Sequence, residues 1–344
     1  MQQTEETFFK ALAERPDDRA LRSIFCDWLL EQGDARGEAM ALFDKGDLTF
    51  VERKRLAKLQ RTHAGRWLGP LKGSAVIDDC RFAGGLLHTL KFPANLSIER
   101  YAALTGEPRL ATLHTLAIEP GRAAAEVGAF LAHPVLARLV RLEGDVATLV
   151  KAQGLSSAPQ VLRVSLWHPR EELEALAACV ALRSAEALSL SIVDFVNPRE
   201  AEELAATVVG SGVLNGRKQV ELVARDATIE GVVQWLRVAS AQARGLARDR
   251  LQRWAVEYAQ THLGLEGEHF EHLIIDARAK GGTGEIAVAA AVLAMLDGIG
   301  VKRVDVVGIP GGRLKKDELN TLRAAVRRLK TVEEFRVGGV RQSP

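Results

Sequence analysis

The sequence predicts an α/β protein assembled as a solenoid of stacked strand–helix units, with a small all-α domain ahead of it. Three observations predict it. Short strand-like runs alternate with helical runs rich in Ala, Leu, Glu and Arg from Leu86 onward. The strand-like runs recur at a nearly constant spacing, as stacked repeats require. Aromatic residues are only 5% of a chain that is 47% hydrophobic, which suits many thin aliphatic layers rather than one thick core.

The bulk properties are those of a globular protein. The 344 residues carry 46 basic and 44 acidic side chains, a net charge of +2, so bulk charge implies neither a nucleic-acid grip nor a polyanion. Cys26, Cys80 and Cys179 are far apart and odd in number, which reads as buried thiols in a reducing cytoplasm. The start, MQQTEETFF, has no basic region followed by an apolar run, and no stretch has the roughly 18 uninterrupted apolar residues of a membrane span. The expected location is cytoplasmic, with no membrane partner.

The first elements are helices. Thr4 followed by Glu5 and Glu6 is a capped start with carboxylates at the positive end of the helix. Pro16 then breaks this helix, and Asp17-Asp18 caps a second, from about Arg19 to Glu31. Its apolar residues Leu21, Ile24, Phe25, Trp28 and Leu29 form one stripe, and Gly33 stands where a left-handed cap belongs. A third short helix is expected from Gly37 toward Leu42.

Three runs in this segment, Pro16-Asp17-Asp18, Phe25-Cys26-Asp27-Trp28-Leu29-Leu30-Glu31 and Gly33-Asp34-Ala35-Arg36-Gly37-Glu38, resemble the small bacterial repeat-companion domain. The match is specific and confined to this first helical segment. The stretch His63 to Leu71 is similar to the linker that follows such domains, ahead of degenerate leucine-rich-type repeats. The resemblance implies an interaction module. Ser23-Ile24-Phe25-Cys26 departs from the family's small residue before Asp27, which should alter packing only. Asp27, Arg36 and Glu38 can be read as a catalytic trio or as charges clamping the Gly33–Gly37 turn; the clamp is the better account.

In the repeating body the strand cores are Leu90/Phe92, Leu116/Ile118, Leu139 to Leu142, Val164/Leu166, Leu188/Leu190, Val220/Leu222, Leu273/Ile275, Val304/Val306 and Phe335/Val337. The spacing from Leu90 to Leu116 is 26, from Leu116 to Val164 is 48, from Val164 to Leu188 is 24, and from Leu188 to Val220 is 32. Leu273, Val304 and Phe335 are each 31 apart. Such periods lie in and just above the leucine-rich-repeat range. A lone strand and helix cannot bury their apolar faces, whereas stacked copies share one core, so the fold class is a leucine-rich-repeat-like solenoid with parallel strands on the concave face and helices on the convex one.

Helices are expected at Ala123–Leu131, Arg170–Leu182, Pro198–Val209, Ile229–Ala243, Glu285–Leu296 and Lys315–Leu329. No Asn recurs after the strands, so the turns must satisfy their backbone groups locally. The gap of 53 from Val220 to Leu273 would hold two more units. Ala239 to His262 nevertheless shows helical spacing through Leu246, Leu251, Trp254 and Tyr258, which favours an inserted helical pair over a regular repeat. The expected segments are a helical capping domain over 1–60, N-terminal repeats over 61–226, a helical insertion over 227–267 and C-terminal repeats over 268–344.

Motifs for chemistry are weak. Val304 to Lys316 reads as strand, Gly-rich turn and basic helix start, and backbone amides there could receive a phosphate. It lacks the spacings of nucleotide loops, so a flexible repeat turn is the better account, and a nucleotide- or phosphate-binding enzyme using Gly308–Lys316 is the alternative function. Gly281 to Glu285 simply opens a helix with a Thr cap. His262, His269 and His272 with Glu266, Glu268 and Glu271 have ligand chemistry without diagnostic spacing. Cys80 follows Asp78-Asp79, which would raise its pKa rather than activate it. Arg53-Lys54-Arg55 and Arg244–Arg253 lack interleaved aromatics and read as solvated helix faces, so nucleic acid is not an expected partner. No catalytic residue, cofactor or metal is expected.

What remains is surface recognition. Residues alternating with the strand cores should point away from the helices: Thr89, Lys91, Thr115, Arg163, Ser165, Trp167, Ser189, Ser191, Glu221, Arg225, Asp276, Arg278, Arg303, Asp305 and Arg336. Arg and Trp dominate binding energy at many interfaces. The residues expected to bind a partner are Lys91, Arg163, Ser165, Trp167, Ser189, Glu221, Arg225, Asp276, Arg278, Arg303, Asp305 and Arg336. The expected function is a non-catalytic scaffold or adaptor that binds a protein partner through the concave sheet face.

Overall fold

The computed structural model describes residues 4–15, 18–120, 126–151, 154–192, 217–225, 251–258, 261–266, 272–276, 284–296, 300–308 and 314–342, with shorter stretches between 203 and 237. The chain is α/β with a mostly parallel sheet that is not a closed barrel. It divides into two compact units, Met1–Arg163 with Cys179–Ala185, and Val164–Ala178 with Glu186–Pro344.

The first unit opens with four helices: α1 (Glu5–Glu14), α2 (Arg19–Glu31), α3 (Ala35–Asp44) and α4 (Phe50–Trp67). Thr4 and Asp18 cap α1 and α2 as expected, their side chains accepting from the amides of Thr7 and Leu21. Gly33 has φ +64°, the left-handed conformation glycine tolerates without a Cβ penalty. The third helix begins earlier than expected, at Ala35, because Asp34 caps it through the amide of Arg36. Gly37 is then inside the helix, and its missing side chain matters: a Cβ there would stand 2.8 Å from the backbone nitrogen of Leu30.

Helix α4 is a correction to the sequence reading, which placed a domain boundary at residue 60 and a linker over His63–Leu71. The helix runs through residue 60 to Trp67, started by a capping box in which Thr49 and Glu52 exchange side-chain bonds. The four helices do not close a core of their own. Phe8 stacks on Phe25 with centroids 4.6 Å apart, and Phe9, Leu12, Leu29 and Met40 join them together with Leu86 from strand β2 (Leu86–Phe92). Trp67 packs edge-on at 5.3 Å against Phe82 of strand β1 (Arg81–Ala83).

Strands β1 and β2 form an antiparallel hairpin across Gly84-Gly85. Both glycines have positive φ, +54° and +75°, as a two-residue turn with the right twist demands. Parallel strands β3 (Thr115–Ile118) and β4 (Arg141–Asp145) follow, with β5 (Val161–Leu166) next in order. Helices α5 (Ile98–Leu104), α6 (Glu126–Ala132), α7 (Val146–Lys151) and the later α9 (Val180–Ser184) accompany them. Leu90 pairs with Leu116 and Leu116 with Leu142, so each sequence period is one step across the sheet.

The second unit holds α8 (Pro169–Ala178) and strands β6 (Ala187–Ile192), β7 (Gln219–Arg225), β8 (Leu251–Tyr258), β9 (Thr261–Glu266), β10 (His272–Asp276), β11 (Arg303–Val307), β12 (Glu334–Val337) and β13 (Val340–Gln342). Neighbours in sequence are neighbours in the sheet. Leu188 pairs with Val220, and Leu273, Val304 and Phe335 lie side by side, so the longer periods of this half also equal single strand steps. Helices α10 (Gly284–Met295) and α11 (Lys316–Arg328) follow β10 and β11, close to the expected Glu285–Leu296 and Lys315–Leu329.

The expected helical insertion over 227–267 is corrected in its second half. Strand β8 runs parallel to β7 and pairs Leu222 with Trp254, the same separation as Leu188 and Val220; β9 then returns antiparallel between β8 and β10. A regular strand therefore occupies the next repeat position. The helical spacing of Leu251, Trp254 and Tyr258 misled because Trp254, Val256 and Tyr258 also recur every second residue, the period of a strand. Residues 238–250, which include most of the Arg244–Arg253 run, lie outside the described residues, as does most of Pro198–Val209.

Each of the expected strand cores lies in or beside a strand. Leu90, Leu116, Leu142, Val164, Leu188, Val220, Leu273, Val304 and Phe335 are all 2% exposed or less.

Candidate functional site

Among the described residues, the face of the strands opposite this core carries several charged side chains. In the first unit, Lys91 of β2 lies 2.9 Å from both Asp79 and Glu119. Its bond to Asp79, then that to Glu119, holds the ammonium above its ordinary pKa. Arg163 at the end of this unit faces Glu143 at 3.7 Å and keeps half of its side chain in solvent. Thr115, expected on the same face, is buried.

In the second unit, Ser165 is half-buried. Trp167 is 40% exposed and stands just beyond the end of β5, so it is presented at the C-terminal edge of the strand rather than from the sheet face. Its position is fixed from behind: the Glu172 carboxylate accepts from the backbone amides of Trp167 and His168, at 2.6 and 2.8 Å, and ties the start of α8 to the strand end. Ser189 donates to Glu221 of the next strand at 3.0 Å. Ser191, expected to be accessible, is 2% exposed. Asp276 is half-buried; the side chain of Arg225 and the whole of Arg278 lie outside the described residues.

The last three parallel strands carry a connected ladder. His272 Nε2 is 3.0 Å from Asp305, and Arg303 donates to the same carboxylate oxygen at 2.7 Å. Glu334 is 3.5 Å from Arg303 and 2.7 Å from Arg336. The register explains the meeting: His272 stands beside Arg303, and Arg303 beside Glu334, each one repeat period further along the chain. The bond from Arg336 holds the Glu334 carboxyl below its ordinary pKa. A ladder of alternating charges fixes the planar guanidinium groups of Arg303 and Arg336 between carboxylates of the sheet itself. Sequence reasoning named Arg303, Asp305 and Arg336 for this face, weighed His272 only among possible metal ligands and missed Glu334, which the repeat period could have found.

The other motifs lie in the structure as follows, so far as they fall among the described residues. Arg36 is buried, bonded to Glu5 at 2.7 Å and to Asp34 at 2.8 Å, whereas Glu38 pairs with Arg55 and Asp27 is exposed. Asp27, Arg36 and Glu38 thus form neither the suggested trio nor the expected clamp; Arg36 is held instead by Asp34 and Glu5, both partners that sequence reasoning missed. Cys80 is buried and its thiol is pushed up, first by desolvation. His262 and Glu266 lie on β9, opposite Asp276 and His272, while Glu268, His269 and Glu271 lie outside the described residues. Of the Gly308–Lys316 turn, Gly308 has φ +73° and residues 309–313 lie outside the described residues. Asp317 and Glu318 occupy the first turn of α11, where Glu318 accepts from the Lys315 amide at 2.9 Å. Carboxylates at that positive helix end compete with any phosphate.

Among the described residues no helix is long and apolar enough to cross a membrane. Comparison with family models, curated proteins and solved structures finds no match to this chain.

Proposed function

We propose that this protein is a non-catalytic scaffold that binds a protein partner through the polar face of a leucine-rich-repeat-like solenoid. The observation that carries the reading is the agreement between register and repeat length. The shorter period of the first unit and the longer period of the second each bring equivalent residues of successive strands side by side. One face of the described parallel strands β2 to β6, β10, β11 and β12 is then spent on the core, and the other is left to Lys91, Arg163, Ser165, Ser189, Glu221, Asp276, Arg303, Asp305 and Arg336, with Trp167 at an edge. On this reading the N-terminal helices are a companion domain that caps the first strands, whose apolar edge would otherwise face water. The resemblance of residues 16–38 to repeat-companion domains favours the same role. The buried free thiols Cys26, Cys80 and Cys179 suit a reducing, cytoplasmic compartment.

The experiment is an affinity capture with wild type, Trp167→Ala, Arg303→Glu and the helix-surface control Glu174→Ala. The expected result is a defined protein recovered with wild type and the control and lost with the first two variants. Equal recovery with all four would reject the sheet face, and stabilisation by a nucleotide that Lys315→Ala and Lys316→Ala abolish would favour an enzyme instead.

A further inference from the structure

A cavity of about 170 Å³ lies inside the first unit, between α2, the end of α3, the β1–β2 hairpin and the entry to β3. Its apolar walls are Met40, Phe43, Ala83, Leu86, Leu87 and Leu113. Met40, Leu86, Leu87 and Leu113 are at most 7% exposed, so most of the wall is core held in place by its own packing. His88 and His114 join the lining at the edge of the strands. Their rings stand 4.7 Å apart and are tilted by only 13°.

A space of this size is not ordinary packing. Protein interiors are as dense as organic crystals, and side chains that face a void lose the dispersion contacts a neighbour would give. A molecule that fills the void restores those contacts without opening the fold. The ionisable residues on the lining make no demand for a charged one. Arg22 and Arg138 already interact with other groups of the protein, and Asp44 is exposed to solvent. Burial, above all, holds both histidines below the ordinary value of 6.5, so at neutral pH the two rings are mainly uncharged whichever nitrogen carries the proton.

Size and wall chemistry then select the ligand. An apolar cavity of roughly 150 Å³ is known to hold one benzene ring. The parallel imidazoles, the Phe43 ring and the Met40 thioether are neighbours that favour an aromatic ring over a saturated one. We propose that the cavity binds an uncharged monocyclic aromatic molecule, a single six-membered ring with at most a small neutral substituent, packed among Met40, Phe43, Leu113 and the stacked His88 and His114.

The test is a calorimetric titration of the full chain at neutral pH with toluene, and with benzoate and methylcyclohexane, which add a charge or remove the aromatic face. One saturable site for toluene is expected, about tenfold tighter than benzoate and about threefold tighter than methylcyclohexane. Ala83→Phe puts a ring of the chain itself into the void and should weaken toluene binding by about tenfold or more, with the unfolding temperature of the free protein unchanged or raised. Phe43 is 46% exposed, so Phe43→Ala spares the core and should weaken toluene by about threefold. No saturable binding of toluene to the wild-type chain, benzoate or methylcyclohexane binding as tightly as toluene, or unchanged toluene affinity in both variants would each overturn the proposal.

Discussion

At the scale of single residues, the tightest constraint is Arg36. Its side chain is 8% exposed and bonded to two carboxylates, and although burial opposes the charge, the bonds to Glu5 and Asp34 keep it firmly protonated. Removing one member of such a network strands the others, at a cost of about 3 kcal/mol. Arg36→Ala should therefore lower the free energy of urea unfolding by that amount, whereas a loss under about 1 kcal/mol would show the network to be incidental. Burial pushes the Glu5 and Asp34 carboxyls up, but the bonds from Arg36 outweigh it and hold both below their ordinary values of 4.5 and 3.8. They bind fewer protons folded than unfolded, so stability rises with pH there and their contribution is lost as pH falls below about 4.5.

His88 and His114 act in a different window. Burial lowers the pKa of both from the ordinary 6.5; Arg138 adds to it for His88, and His88, Arg141 and Arg138 add to it for His114. Unfolding lets them take up protons, so stability should fall as pH drops below 6.5. Thermal denaturation across that window should show a slope that the double variant His88→Gln, His114→Gln reduces; an unchanged slope would place the acid sensitivity elsewhere.

At the scale of elements, the capping box of α4 and the strand columns give separate tests. Thr49→Ala removes the side chain that accepts from the Glu52 amide and should cost about 1 kcal/mol. Phe335 is fully buried beside Val304, and Phe335→Ala should cost about 4 kcal/mol. Both are read by denaturant titration, and comparable losses from the two would contradict the division between exposed cap and stacked core. Most elements were legible in the sequence for reasons visible here. Caps at Thr4 and Asp18 and the apolar pairs of the strands are local signals, and their spacing sets the register. What stayed hidden was non-local. Nothing near Arg36 in sequence points to Glu5, and α4 was obscured by a resemblance that cast its end as a linker. The β8–β9 pair was obscured by apolar spacing that fits both a helix and a strand.

At the scale of the whole molecule, the account rests on repeated units that each spend one strand face on the core and leave the other for recognition. The face residues were half legible: alternation located Lys91, Arg163, Ser189, Arg303 and Arg336, but could not tell that Thr115 and Ser191 would be buried. Trp167 was found for the right period and the wrong place, since the strand ends at Leu166. The most direct measurement is photo-crosslinking in cells with a reactive side chain substituted at Arg163, on the sheet face, and in a second protein at Glu174, on the exposed surface of α8. The account predicts one discrete heavier species from position 163 and none from 174; crosslinking from 174 alone, or the same products from both, would contradict it.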